Sequence, residues 1–110
     1  MTLREKQALF CECIGELIAR AYAQGYEFTL GEAYRGDRKG HMLGSLHYER
    51  LAIDLNLFVK GKWKDRDCPE WQELGAYWKN LHPLAAWGGD FMPPLKKDYN
   101  HFSFIHDGKA

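Results

Sequence analysis

The sequence predicts an α+β fold, one small domain over residues 1–110 in which an antiparallel sheet is flanked by helices, and three patterns carry that prediction. Apolar residues recur every three or four positions over residues 3–23 and again over 69–81, the spacing of a single helical face. Between these segments Leu51, Ile53, Leu55, Leu57 and Val59 alternate with Asp54 and Asn56, the period of a strand with one buried side. No regular strand–helix–strand alternation links the segments, which argues for antiparallel rather than parallel pairing.

Each element has local cause. Thr2 with Glu5 three residues later is a capping-box pattern, placed ahead of Phe10, Ile14, Leu17, Ile18 and Ala21. Gly25 suits the left-handed residue that ends a helix. Tyr26 to Leu30 reads as a short strand, and the polar, glycine-containing stretch Gly31 to Gly44 as a loop. The strand over residues 51–59 runs into a turn at Lys60-Gly61-Lys62. Pro69 opens the second helix, where its missing N–H costs nothing, and Trp71, Leu74, Trp78 and Leu81 form that helix's apolar stripe. Gly88-Gly89 and Pro93-Pro94 interrupt regular structure, and His101-Phe102-Ser103-Phe104-Ile105 alternates as a closing strand.

Composition narrows the function. The 110 residues hold 15 basic and 15 acidic side chains and are 45% apolar, enough for one core and no second domain. A formal net charge of zero removes the long-range attraction on which binding to nucleic acid or an anionic membrane depends. No apolar run approaches the ~20 residues of a membrane span. Residues Met1 to Lys6 lack the apolar stretch of a secretory signal, so synthesis in the cytoplasm is expected. Cys11, Cys13 and Cys68 are an odd count and are expected as reduced thiols. The chain is expected to be a monomer without a membrane anchor or nucleic-acid partner.

The residues able to carry chemistry flank two strands. His47 precedes the alternating strand, Asp54 lies on its polar face, and His101 opens the last strand. Two imidazoles and a carboxylate are a sufficient protein ligand set for a catalytic Zn2+, which keeps a further position open. Spacing alone also allows Asp54 and Asn56 simply to face solvent and each histidine to make a structural hydrogen bond. Asp98, three residues before His101, is placed to serve as general base or merely to form the turn. Among the other histidines, His82 suits a helix C-terminus, His106 falls on the opposite side of a straight strand, and His41 is the one substitute ligand.

Taken together, Ser45-x-His47, Ala52-x-Asp54 and an acid three residues before His101 resemble the zinc peptidase family of D-alanyl-D-alanine carboxypeptidases and dipeptidases and phage L-alanyl-D-glutamate endopeptidases. The resemblance runs from about Tyr26 to Phe104. It implies a small domain of the DD-peptidase and Hedgehog-like type, with zinc on His47, Asp54 and His101 and with Asp98 as the base. Arg35 matches the arginine that members place near the zinc, where a guanidinium fork holds the scissile carbonyl or a substrate carboxylate. Ser45 binds substrate or orients His47. Trp87 and Phe91 wall the pocket or pack the core, and Asp90 is an alternative hydrogen-bond acceptor for a ligand histidine. Arg50 departs from the pattern, standing where most members have glycine. Asp98 in place of glutamate, the stretch Trp87-Gly88-Gly89-Asp90-Phe91 and the missing leader lean toward the phage endolysin branch. The expected substrate is then the peptidoglycan stem peptide, cut between L-Ala and D-Glu during host lysis after holin-type release. A D-Ala-D-Ala carboxypeptidase or dipeptidase and an inactive zinc-containing wall-binding module are the alternatives.

Overall fold

The computed structural model describes residues 1–31 and 46–110. Helix α1, Leu3–Ala23, begins as its capping box requires: Glu5 N donates to Thr2 Oγ1 at 3.1 Å and Thr2 N donates to Glu5 Oε1 at 2.9 Å. It ends where Gly25 adopts φ +84°, a conformation that costs glycine nothing. Its buried stripe is Phe10, Cys13, Ile14, Leu17 and Ala21.

Strand β1, Tyr26–Leu30, pairs antiparallel with β2, Ala52–Val59, in a register that sets Tyr26 against Val59 and Leu30 against Leu55. Lys60 and Gly61, at φ +52° and +77°, form a two-residue turn with positive φ at both positions, whose twist matches that of paired strands. The chain therefore re-enters the sheet at once as β3, Lys62–Trp63. The sequence reading assigned Lys62 to the turn, because two residues carry no periodicity.

Helix α2, Pro69–Leu81, has proline in its first turn and buries Trp71, Leu74, Gly75 and Trp78. After it comes β4, Ala85–Trp87, a strand absent from the sequence reading since three residues with two alanines have neither alternation nor β-branching to reveal them. A single 3-10 turn, Gly88–Asp90, and the connection through Pro93-Pro94 lead to β5, His101–Phe104. The strands lie in the order β1-β2-β5-β4, each neighbour antiparallel, with β3 added to β2. The α+β architecture with an antiparallel sheet and two helices is thus as expected from the sequence.

All four residues of β5 are buried, so the closing strand is covered on both faces rather than alternating between core and solvent. Phe102 and Phe104 project into the core. There they meet Trp71, Trp78 and Phe10 with ring centroids 5.2–6.0 Å apart, several of them edge-to-face. The buried indoles each find a backbone acceptor: Trp71 donates to Lys64 O, Trp78 to Ala86 O and Trp87 to Tyr99 O, at 2.7–2.8 Å. The bonds to Lys64 and Tyr99 tie irregular segments to the core, and the bond to Ala86 ties α2 to β4. Among the described residues no helix is long and apolar enough to cross a membrane, and Cys11, Cys13 and Cys68 are free thiols.

Candidate metal centre

Opposite the aromatic core, the register of β2 and β5 places Asp54 directly across from His101. His47 reaches the same point from the turn before β2. That turn is anchored by Leu46, 2% exposed, and closed by bonds from Glu49 N and Leu51 N to Leu46 O and from Arg50 N to His47 O. Arg50 has φ +56°, in the left-handed region. The position at which the resembled pattern has glycine thus adopts a conformation that glycine enters freely, here with a β-carbon in place.

His47 Nε2 and His101 Nδ1 each lie 3.4 Å from Asp54 Oδ1, and the imidazole centroids are 5.2 Å apart. The three side chains are 14%, 8% and 14% exposed for His47, His101 and Asp54. Burial by itself would raise the Asp54 carboxyl pKa, but the neighbouring imidazoles of His101 and His47 outweigh it and hold the group well below the usual carboxylate range. Even so, 3.4 Å is long for a charged hydrogen bond, and Asp54 Oδ1 is buried without a hydrogen-bond partner. Such an orphan costs about 1–3 kcal/mol or more for a charged group.

A cation relieves this cost. Ligand atoms bound at ~2.0–2.2 Å to one tetrahedral zinc sit roughly 3.4 Å from one another, as both nitrogens do from Asp54 Oδ1, and all three atoms fall within 4.8 Å of one another. Two imidazoles and one carboxylate are also the donor set of an open, catalytic zinc site. The group fits the metal.

Asp98 is held by its backbone. Its N–H donates to Gly88 O at 2.9 Å and its carbonyl accepts from His101 N at 3.1 Å. A β-carbon on Gly88 would sit 2.1 Å from Asp98 O and 2.9 Å from His101 Cβ. Gly88 therefore permits the close approach that sets Asp98 and His101 in one turn. The sequence reading takes Gly88-Gly89 as an interruption of regular structure, and a missing β-carbon carries no local signature of the segment that packs against it.

Other candidates separate. Arg35, Ser45 and His41 lie outside the described residues. Trp87, a candidate substrate contact, is instead a core residue, 2% exposed and fitted against Gly75 and Gly89, because α2 and the 3-10 turn close on both sides of its indole. Phe91 stays beside the site, its ring centroid 5.4 Å from that of His101. Asp90 pairs with Lys79 at 2.8 Å rather than with a ligand histidine. His82 accepts from Leu84 N and stacks on Phe104, and His106 contacts Lys6 Nζ at 2.9 Å.

A family model described as D-alanyl-D-alanine carboxypeptidase matches residues 38–104, more than half of the chain and a span that includes His47, Asp54, Asp98 and His101. No curated protein matches the chain.

Proposed function

The chain belongs to the D-alanyl-D-alanine carboxypeptidase family of zinc peptidases, and on that premise we propose that it is an endopeptidase of peptidoglycan that cuts the stem peptide between L-Ala and D-Glu. The observation that carries the peptidase reading is the convergence of His47, Asp54 and His101 around a buried, unpartnered carboxylate oxygen, within a turn of Asp98. His47 Nε2, Asp54 Oδ1 and His101 Nδ1 would hold zinc. When bound, the ion supplies Lewis acidity toward the scissile carbonyl and lowers the pKa of water at the site.

The remaining work falls to the chain's own groups. Asp98 accepts the proton of the attacking water and returns it to the leaving amine. Arg35 holds the carbonyl oxygen as negative charge develops, or docks a substrate carboxylate, and Ser45 contacts substrate or steadies His47. The choice of the L-Ala–D-Glu bond is supported by the acid before His101 being aspartate and by the Trp87 to Phe91 stretch resembling the endolysin branch. In this reading the enzyme is a monomer that reaches the wall after release from the cytoplasm. The family description itself favours the second reading, a D-Ala-D-Ala carboxypeptidase.

Digestion of purified peptidoglycan followed by mass spectrometry of the new termini separates them. New N-terminal D-Glu establishes the endopeptidase; release of single D-Ala establishes the carboxypeptidase. Purified protein should carry one zinc per chain, and His47→Ala or His101→Ala should abolish tight binding. Stoichiometric zinc at unchanged affinity in either variant would show that the ligand assignment is wrong.

A further inference from the structure

Strands β3 and β5 both lie along the edge of β2 that faces away from β1, β3 against Phe58 and Val59 and β5 against Ala52, Ile53 and Asp54. Between them is a cleft of ≈ 220 Å³ whose walls include Asn56, Trp63, Lys64, Asp65, Asp98 and Asn100. Asp98 is thus shared between this cleft and the proposed reacting centre. Trp63 differs from the other tryptophans. It is 59% exposed, whereas Trp71, Trp78 and Trp87 are at most 2% exposed.

An exposed indole beside two carboxamides, two ammonium groups, those of Lys64 and Lys97, and two carboxylates, those of Asp65 and Asp98, offers one apolar face and hydrogen-bonding groups of both kinds. An amino sugar matches that surface: its C–H face would cover the ring, and its hydroxyl and acetamido groups would meet Asp65 and the linked amides of Asn56 and Asn100. The reach agrees as well. Asp54 and Asn56 share one face of β2 and are separated by about 7 Å, two residues of strand. In peptidoglycan the lactyl group and L-Ala lie between the muramyl ring and the L-Ala–D-Glu bond, two acyl units that extend about 7 Å. The D-Ala–D-Ala bond lies three residues farther along the stem, about 10 Å more.

We propose that the cleft between β3 and β5 binds the muramyl sugar of the glycan strand and makes the enzyme prefer sugar-bearing stems over free peptide. This inference rests on the L-Ala–D-Glu reading. It is tested by comparing kcat/KM for a stem carrying the N-acetylglucosaminyl-N-acetylmuramyl disaccharide with that for the same stem N-acetylated in place of the sugar. The expected ratio is at least tenfold in the wild type and near one in Trp63→Ala, with Trp63→Phe intermediate and with unchanged circular dichroism and zinc content in both. A wild-type ratio near one, or a ratio that survives Trp63→Ala, overturns the proposal. The disaccharide alone is also titrated into the zinc-loaded protein with iodide as fluorescence quencher. Protection of the one exposed tryptophan supports the sugar site, and no protection overturns it. If only D-Ala–D-Ala bonds are cut, the bond assignment falls, and this titration alone decides whether the sugar site stands.

Discussion

On one face of β2, Leu55 and Leu57 are 1% and 0% exposed and belong to the same core as Phe102, Phe104, Trp71 and Trp78. On the other, Asp54 is half-buried, and its enclosed Oδ1 has two imidazole nitrogens at 3.4 Å and no hydrogen bond. Burial of the first face is favourable without any partner, at about 25 cal/mol per Å². Burial of the second costs free energy until a cation arrives. The same strand therefore stabilises the fold with one set of side chains and stores a metal-binding demand in the other, so that the two faces should respond separately to perturbation.

The largest separation is expected on metal removal. A chelator should abolish peptidase activity while far-UV circular dichroism keeps the helix signal, since α1 and α2 pack on the other face. Cooperative loss of both signals at the same chelator concentration would mean that the polar face supports the core after all. In the opposite direction, Trp78→Ala removes a fully buried indole and its bond to Ala86 O, and should cost about 3–5 kcal/mol in urea unfolding. Zinc stoichiometry of the surviving folded fraction should be unchanged.

Asp98→Asn sharpens the comparison within the polar face. Zinc and fold should persist, because the backbone of residue 98 makes the bonds to Gly88 and His101, while kcat falls on the order of 10² to 10⁴. Loss of zinc in this variant would make Asp98 a ligand and reopen the role of Asp54. A smaller effect is expected at Arg50, whose φ of +56° costs a residue with a β-carbon roughly 1–2 kcal/mol. Part of that returns as unfolded-state entropy in Arg50→Gly, so the variant should be more stable by up to about 1 kcal/mol in urea unfolding, with zinc affinity unaltered. Destabilisation would indicate that the arginine side chain holds the turn.

The smallest effect belongs to the exposed start of α1. Thr2, first through its backbone N–H and then through its hydroxyl, lowers the Glu5 pKa. A group depressed in the folded state contributes stability above its unfolded value, and that contribution is lost as pH falls from the ordinary carboxylate range through the folded value. Glu5→Gln should therefore flatten this part of the acid limb of α1 melting and lower stability near pH 7 only slightly. A limb of unchanged slope would remove Glu5 from the cap's pH response.

Much of this protein was legible in order of residues. Capping at Thr2 and Glu5, the glycine stop at Gly25, the proline start of α2 and the alternation through β2 are decided by neighbours within four positions, so sequence alone fixes both helices and the central strand. The candidate ligands His47, Asp54 and His101 were legible as residue types whose arrangement resembles a family pattern. Their meeting was not, because it depends on the β2–β5 register that sets Asp54 against His101. Trp87 shows the same limit from the other side: an aromatic near the site reads equally as pocket wall or core until the tertiary fit of Gly75 and Gly89 against its indole decides for the core. β3, β4 and the Gly88 contact also came only from the fold, since elements of two or three residues and a missing β-carbon acquire their energy from partners distant in the chain.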